Sequence, residues 1–264
     1  MCRLAAFPPN FPRRAALEIM LNFESCNTDG TGYSYIENGK FVTKKWPRDY
    51  SSLIKRGKPL LDHMPYKGWT IAHLRAASHG AVTMENTHPF EIGKWAICHN
   101  GIWSDYDVAK LALSKYVTFK GETDSEVAAH LINNLGPKKF ATSINHGGVY
   151  LALNLDGSLW VMKTSGELVL NTLKDDQVLI ASELDRTTYP DHADSKEGWY
   201  HFDADGKYKA HKENVPWYQR NNVSYFGGSR GVTISNHRDW TGHGSSHIHH
   251  GRSGGVSEII DRWD

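Results

Sequence analysis

The chain has 264 residues, of which 39% are hydrophobic and 22% charged, and its formal net charge is +1. This length and composition are ordinary for a globular protein with one large domain or two small ones. The near-neutral charge provides no strong field for nucleic acid or an anionic membrane, so neither is expected as a partner. The sequence has no apolar run of about 18 residues, so no membrane-spanning helix is expected.

Three cysteines occur along the chain, at Cys2, Cys26 and Cys98. An odd number without paired spacing argues against a disulfide framework and is typical of a reducing compartment. Prolines and arginines interrupt residues 8–14, where a secretory signal peptide would have its apolar segment. We therefore expect a cytoplasmic protein without disulfides.

The predicted elements begin with a short buried strand over Arg3–Phe7. Apolar residues at helical spacing predict an amphipathic helix over Ala15–Phe23. An Asn-Gly turn between two apolar runs predicts a β-hairpin over residues 33–45. Thr70–Leu74 and Trp95–His99 are predicted as strands, and each ends in a cluster of polar residues.

The next predicted element is a helix over Glu126–Leu135, which ends at Gly136-Pro137. An Asp-Gly turn predicts a second hairpin over residues 149–163, and a third is expected over residues 201–208. Gln177–Ser182 has the composition of a buried strand. Many hairpins with few helices predict an α+β fold in which sheets pack together and helices flank them.

From about residue 218, Gly, Ser, His and Asn dominate and the apolar periodicity is lost. We predict one domain over residues 2–217, followed by a flexible or extended tail over 218–264 that ends in a short helix. Asp203–Gly206 resembles the start of a calcium loop but lacks the required Glu, so a turn is expected. His-rich tracts are compositional signals only, so neither a metal site nor a cofactor is predicted. The tail histidines are His237, His243, His247, His249 and His250.

The first two residues, Met1-Cys2, carry the first chemical signal. A small second residue permits a methionine aminopeptidase to remove Met1, which would leave Cys2 with a free α-amine beside its thiol. N-terminal nucleophile enzymes use such a pair, in which the amine takes the proton while the sulfur attacks a carbonyl. By itself the dipeptide predicts little, because short motifs also occur by chance.

Three polar clusters follow Cys2 at strand ends or helix starts, where loops place side chains over a rigid scaffold. Each also has a simpler explanation. Arg75 would suit a surface ion pair, Asn100-Gly101 a hairpin turn, and His88 a hydrogen bond within a loop. Thr123 and Glu126 have the spacing of a helix capping box. The clusters are His73–Gly80 with Asn86–Phe90, His99–Ile102 and Gly121–Glu126.

In this order behind an N-terminal Cys, the clusters resemble the class II glutamine amidotransferases, which are N-terminal nucleophile enzymes. The resemblance covers about residues 2–185. It implies a four-layer αββα sandwich with two mainly antiparallel sheets. Ala76 and Ser78 stand where larger synthases of the family usually have an aromatic residue and Thr, and no acceptor domain follows residue 185. The resemblance is therefore to the stand-alone glutaminase type.

The resemblance also assigns roles to individual residues. Cys2 is expected to be the nucleophile and its α-amine the base, since the reference pKa of such an amine is about 7.7–8.0. The Asn100 side chain and the Gly101 N–H are expected to stabilise the oxyanion. Arg75 would bind the glutamine α-carboxylate with its planar fork, and Asp124 the α-ammonium. The neighbouring residues expected to help bind the substrate are Ser78, His79 and His88.

The expected function is hydrolysis of the glutamine side-chain amide through a Cys2 thioester, with ammonia supplied to a separate acceptor enzyme. One alternative is a stand-alone hydrolase of γ-glutamyl amides that delivers no ammonia. Another is a non-catalytic relative that binds a partner through the His-rich tail and the terminal segment around Trp263. The sequence identifies neither the acceptor nor the oligomeric state.

Overall fold

The computed structural model describes residues 1–56, 67–143 and 147–213. Within these ranges, strands alternate with short helices. The strands are β1 (Arg3–Phe7), β2 (Gly30–Glu37), β3 (Lys40–Trp46), β4 (Thr70–Arg75), β5 (Phe90–Ile92), β6 (Trp95–Asn100), β7 (Val149–Asn154), β8 (Leu159–Lys163), β9 (Val169–Thr172), β10 (Val178–Ala181), β11 (Ala193–Asp194), β12 (Gly198–Phe202) and β13 (Tyr208–Glu213). The helices are α1 (Arg13–Phe23), α2 (Tyr50–Lys55), α3 (Tyr106–Leu113), α4 (Asp124–Leu135) and α5 (Pro137–Ser143).

The strands form two antiparallel sheets. The first has the order β11-β9-β10-β1-β4-β2-β3, and the second has the order β13-β12-β8-β7-β6-β5. Strand β1 lies in the middle of the first sheet, between β10 and β4. Cys2 directly precedes β1, so the central strand of this sheet fixes its position.

Strand β1 has two buried faces, because successive side chains of a strand point to opposite sides. Leu4 and Ala6 belong to the apolar core between the two sheets. Ala5 and Phe7 belong to a second core on the outer face of the first sheet. A strand buried on both faces is a rigid base for the residue that precedes it.

Helices cover the outer faces of both sheets. Residues of α1 and α2 pack into the outer core of the first sheet. On the other side, α4 contacts β5 and β6, α5 contacts β8 and β12, and α3 packs on α4. The layers therefore run helix, sheet, sheet, helix. This arrangement confirms the predicted α+β sandwich with two antiparallel sheets.

Several element boundaries differ from the sequence prediction. Helix α4 begins at Asp124 and not at Glu126. Gly136 ends α4 with a positive φ of 78°, as expected from its lack of a side chain. Pro137 then opens α5, since proline is tolerated in the first turn of a helix. The pattern also gave no sign of the elements α2, α3, β5, β9 and β11.

Candidate active site

Cys2 lies where the chain enters the first sheet. Arg3 of β1 pairs with Leu74 of β4, so Cys2 lies beside the residues that follow β4. The Cys2 thiol donates to the carbonyl oxygen of Ala76 at an Sγ–O distance of 3.5 Å. Burial raises the pKa of this thiol, against the opposite effect of the positive charge on Arg75. A thiol with a raised pKa is mostly protonated at neutral pH, so its attack on a carbonyl requires a base.

Met1 is attached to Cys2 and points outward, with 73% of its surface exposed. Its carbonyl oxygen accepts a hydrogen bond of 2.8 Å from Nδ2 of the buried Asn27. The same Nδ2 lies 3.4 Å from the carbonyl oxygen of Leu74. Asn27 therefore holds the peptide group that joins Met1 to the proposed nucleophile.

Arg75 closes strand β4 and is only 2% exposed, so the simpler explanation as a surface ion pair does not hold. Its guanidinium donates to three consecutive backbone carbonyls. Nη1 is 2.8 Å from the Ala81 oxygen, and Nη2 is 2.8 Å and 3.1 Å from the oxygens of His79 and Gly80. Arg75 therefore shapes the loop that follows β4.

The loop of residues 76–81 carries two of the predicted substrate-binding side chains. Ser78 and His79 are both exposed on it. His79 Nε2 is 3.0 Å from the hydroxyl oxygen of Tyr106, which lies at the start of α3. The loop is also held by Asp29, whose carboxylate accepts from the Ala77 N–H at 2.8 Å. Polar groups on this loop thus adjoin Ala76, the hydrogen-bond partner of Cys2.

Asn100 and Gly101 lie at the end of β6 and lead toward α3, so they are not a hairpin turn. A Cβ atom on Gly101 would clash with the carbonyl oxygen of Gly147 and lie 2.6 Å from Gly148 Cα. Gly101 is therefore required by close approach of two backbones. Among the described residues, the buried Asn100 Oδ1 has no hydrogen-bond partner. The unpartnered atom is the acceptor of this amide, whereas an oxyanion would bind its Nδ2 donor.

Asp124 opens helix α4, with 17% of its side chain exposed. Its Oδ2 accepts a hydrogen bond of 2.8 Å from the Trp103 N–H, and its Oδ1 lies 3.2 Å from Ser125 Oγ. A carboxylate in the first turn of a helix is stabilised by the helix dipole. Arg75 and Asp124 both act on the pKa of Cys2, so the fold brings these three charged or reactive groups together.

The predicted capping box at the start of α4 is wrong. Thr123 is the N-cap residue, but its side chain makes no cap hydrogen bond. Glu126 does not reach back to it, because its carboxylate accepts from the N–H groups of Lys120 and Gly121, both at 2.8 Å. The Glu126 side chain therefore orders the chain before Asp124 and leaves the cap to other groups.

His88 lies inside the protein and not at the loop surface. It is 3% exposed, and its ring stacks on that of His73 with a centroid distance of 4.0 Å. Neither ring nitrogen has a hydrogen-bond partner among the described residues, so the simpler explanation as a loop hydrogen bond does not hold. Burial lowers the pKa of His88 well below its usual value, so the ring is neutral. The His88 ring contacts His73 and Phe90, and its role in binding the substrate stays a prediction.

The site also contains residues that the sequence pattern did not single out. Asn27 holds the peptide carbonyl that precedes Cys2, and the Gly147-Gly148 pair packs on Gly101. The Gly pair was a visible signal, since two adjacent glycines before a buried strand indicate a close backbone approach. Asn27 gave no comparable signal, because its partners are backbone atoms distant in sequence.

Two solved structures have a fold similar to that of this chain. One is a structure described as the allosteric regulatory enzyme of purine biosynthesis, with a TM-score of 0.65 and 18% identity, covering 81% of this chain and 50% of that one. Another is the glutamine phosphoribosylpyrophosphate amidotransferase from B. subtilis, with a TM-score of 0.64, 16% identity and the same coverage. At these identities, the likeness shows the fold.

The sequence comparisons identify the family. The sequence model of the class II glutamine amidotransferases matches residues 1–179. The chain is 41% identical over 128 residues to a glutamine–fructose-6-phosphate aminotransferase of Aquifex aeolicus, covering 46% of this chain and 21% of the relative. It is 28% identical over 216 residues to the enzyme of that name from Gluconobacter oxydans, covering 74% of this chain and 34% of the relative. The chain therefore belongs to the class II glutamine amidotransferases and spans about a third or less of these relatives.

No helix among the described residues is long and apolar enough to cross a membrane. No group of three or more His, Cys, Asp or Glu residues among them is arranged to hold a metal ion. The predicted tail of residues 218–264, with its histidines and short terminal helix, lies outside the described residues, and the domain boundary at 217 stays a prediction.

Proposed function

We propose that this amidotransferase domain hydrolyses the side-chain amide of glutamine, with Cys2 as the nucleophile after removal of Met1. The observation that carries the proposal is the position of Cys2 directly before a central, doubly buried strand and beside Arg75, within electrostatic range of the Asp124 carboxylate. The two side chains supply the opposite charges that the α-carboxylate and α-ammonium of an amino acid require. When the amino-acid end is bound in this way, the electrophile that reaches the Cys2 sulfur is the γ-amide carbon of glutamine.

The proposed chemistry has two steps. The Cys2 α-amine takes the thiol proton while sulfur attacks the amide carbon, and Asn100 with the Gly101 N–H stabilises the oxyanion. The intermediate expels ammonia, which takes up the proton, and leaves a γ-glutamyl thioester on Cys2. Water then attacks the thioester, so that glutamate leaves and the thiol is restored. The raised pKa of the Cys2 thiol agrees with a mechanism in which a base is needed.

Arg75 would bind the glutamine carboxylate in this scheme, although its guanidinium already donates to three loop carbonyls. A guanidinium has five N–H donors, so donors remain after these contacts. Ser78 and His79 lie exposed on the loop that Arg75 holds, which supports their assignment to the carboxylate end of the substrate. Asp124 would receive the α-ammonium through Oδ1.

The first test is a comparison of two cysteine variants. Cys2→Ala is expected to abolish glutamine hydrolysis and covalent labelling by the glutamine-mimicking electrophile diazo-oxo-norleucine, because the reacting sulfur is gone. Cys26→Ala is the matched control, since Cys26 is an exposed free thiol outside the site. Mass spectrometry should locate the label on a chain that begins at Cys2. Labelling of Cys2→Ala, or no hydrolysis by a folded chain that lacks Met1, would refute the proposal.

We further propose that the ammonia is used by a separate acceptor enzyme in the cytoplasm. The described cysteines are all unpaired, which agrees with a reducing compartment. The alternative, a stand-alone hydrolase of γ-glutamyl amides, is favoured if γ-glutamyl anilide or γ-glutamyl methylamide is cleaved as fast as glutamine. A strong preference for the unsubstituted amide favours ammonia supply, because only that substrate releases ammonia.

A further inference from the structure

His99 is a buried titratable group for which the proposed mechanism has no use. It lies near the end of strand β6, directly before Asn100 and Gly101, and its side chain is 1% exposed. The ring stacks on Tyr150 with a centroid distance of 4.0 Å and an interplanar angle of 5°. Its backbone carbonyl accepts a hydrogen bond of 2.9 Å from His73 Nε2. Ring and backbone are thus both fixed.

The two ring nitrogens of His99 reach two different parts of the site. Nδ1 is 2.9 Å from Ser125 Oγ, and that oxygen lies 3.2 Å from Asp124 Oδ1. Nε2 is 3.0 Å from the carbonyl oxygen of Gly147. One imidazole therefore contacts both the helix start that carries Asp124 and the segment that packs on Gly101.

The hydrogen atoms in this chain of contacts can be counted. A carbonyl only accepts, so Nε2 carries the hydrogen of the neutral ring and donates it to Gly147. Nδ1 then accepts the hydroxyl hydrogen of Ser125. Because that hydroxyl has a single hydrogen, Asp124 Oδ1 receives none from it. Burial lowers the pKa of His99 despite the nearby carboxylate, which keeps the ring in this neutral form. Asp124 Oδ1 is thereby left to accept from another donor.

The contact between His99 and Gly147 affects residues 100–101, which carry the proposed oxyanion donors. The backbones of residues 100–101 and 147–148 lie so close that a Cβ on Gly148 would clash with the Asn100 carbonyl oxygen and lie 2.7 Å from Gly101 Cα. A shift of Gly147 therefore moves Gly101, whose N–H is one of the proposed oxyanion donors. The hydrogen bond from His99 Nε2 holds Gly147 in place.

We propose that His99 is a positioning residue that couples the two ends of the site. By accepting the Ser125 hydroxyl at Nδ1 it leaves Asp124 Oδ1 free for the substrate ammonium, and through Nε2 and Gly147 it holds the oxyanion donor Gly101. This inference rests on the proposed glutaminase function. His99 itself contacts no reacting atom.

Two substitutions of His99 separate its two contacts. Gln places an amide N–H near the position of Nε2, so His99→Gln keeps the donor to Gly147 and removes the acceptor for Ser125. Asn places an amide oxygen near the position of Nδ1, so His99→Asn keeps the acceptor and removes the donor. Both are measured on the chain that begins at Cys2, with kcat for glutamine and inhibition constants for glutamate and glutarate. Glutarate lacks the α-ammonium and therefore does not need Asp124.

The expected results differ between the two variants. His99→Gln should raise the inhibition constant of glutamate about tenfold and leave that of glutarate within about twofold, because the Ser125 hydroxyl then donates to Asp124 Oδ1 in competition with the ammonium. His99→Asn should lower kcat about tenfold and keep the preference for glutamate over glutarate. Ser125→Ala removes that hydroxyl, so alone it should leave both inhibition constants within about twofold, and in the double variant with His99→Gln it should restore the glutamate constant.

A structural role alone would give a different pattern. If both His99 variants change kcat and the two inhibition constants in the same way, the coupling is refuted. The same holds if adding Ser125→Ala to His99→Gln does not restore the glutamate constant. Ser125→Ala alone keeps the test valid where a His99 variant fails to fold, since a rise of about tenfold in its glutamate constant would show that Ser125 donates to Asp124 in the wild type. Absence of glutamine hydrolysis by the wild-type chain that begins at Cys2 would instead refute the proposed function, so the two failures are distinct.

Discussion

The two sheets hold their parts of the site by different means. The first-sheet part consists of Cys2, Arg75 and the loop of residues 76–81. It is held by the charged side chain of Arg75, which donates hydrogen bonds to three backbone carbonyls. The second-sheet part, formed by Asn100 and Gly101, is held by backbones in such close contact that no Cβ fits. Hydrogen bonds of a long side chain can adjust to a ligand, whereas close-packed backbone cannot. The proposed substrate clamp is therefore the adaptable part, and the proposed oxyanion site is the rigid one.

The largest loss of activity is expected from Gly101→Ala, which tests whether the oxyanion site is rigid. The added Cβ would overlap the Gly147 carbonyl oxygen, so the two backbone segments must separate and the Gly101 N–H must move. Loss of an oxyanion donor lowers kcat by about a hundredfold or more. The check is kcat for glutamine with thermal unfolding in parallel. Gly39→Ala is the control for lost stability alone, because a Cβ there meets nothing within 4 Å but its φ of 73° is strained for Ala, and it lies in the hairpin turn between β2 and β3. Equal kcat values in the two variants would contradict a rigid oxyanion site.

A smaller effect is expected from Arg75→Lys. Lysine keeps the charge but presents one ammonium in place of a fork, so it cannot serve the carbonyls of residues 79–81 and a carboxylate together. We expect kcat/KM for glutamine to fall about thirtyfold, mainly through KM. Arg14→Lys is the matched control, since the exposed Arg14 pairs with Glu18 within α1. A loss confined to kcat would show that the loop does not adapt to the substrate as proposed.

The smallest effect is expected for His88, and it is an effect on stability. His88 is buried and neutral, with a pKa lowered by burial, while in the unfolded chain its pKa is about 6.5. The unfolded state therefore binds the extra proton, and the stability that depends on His88 is present above about pH 6.5 and is lost as the pH falls below it. His88→Phe should reduce the slope of unfolding free energy against pH by about 1.4 kcal/mol per pH unit between pH 6 and 4.5.

Urea unfolding at several pH values measures this slope, and the same measurement at pH 7.5, where the imidazole is neutral in both states, is the control. An unchanged slope would mean that His88 is not buried as a neutral ring. The same variant tests the predicted binding role of His88. If KM for glutamine stays the same in His88→Phe, the residue is structural and that role is wrong.

Much of the fold was predictable because its signals are local. The Asn-Gly turn of the hairpin of β2 and β3, the amphipathic face of α4 and the buried run of β1 each depend on a few consecutive residues. Short elements such as β5, of three residues, have no such pattern. They form because the rest of the sheet supplies their partners. Tertiary context decides these segments, as it often overrides weak propensity.

The site was predictable in its order of residues but not in its contacts. Thr123 and Glu126 have the spacing of a capping box, yet Glu126 bonds to the chain ahead of the helix. Spacing alone cannot show which of several nearby N–H groups a carboxylate will find. In the same way, Arg75 reads as a ligand for a carboxylate, and only the fold reveals the three carbonyls around it. The pattern names the side chains, and the packing determines their partners.

The attached Met1 has a practical consequence. Under the proposed mechanism, any residue joined to Cys2 converts its amine into an amide, which cannot take a proton at neutral pH. An affinity tag or fusion partner at this end would therefore act as an inhibitor, however well the domain folds. Since Met1 points outward while Asn27 holds its carbonyl, such an extension would also be tolerated structurally. A well-behaved but inactive preparation is the expected product, so expression should place every tag at the other end.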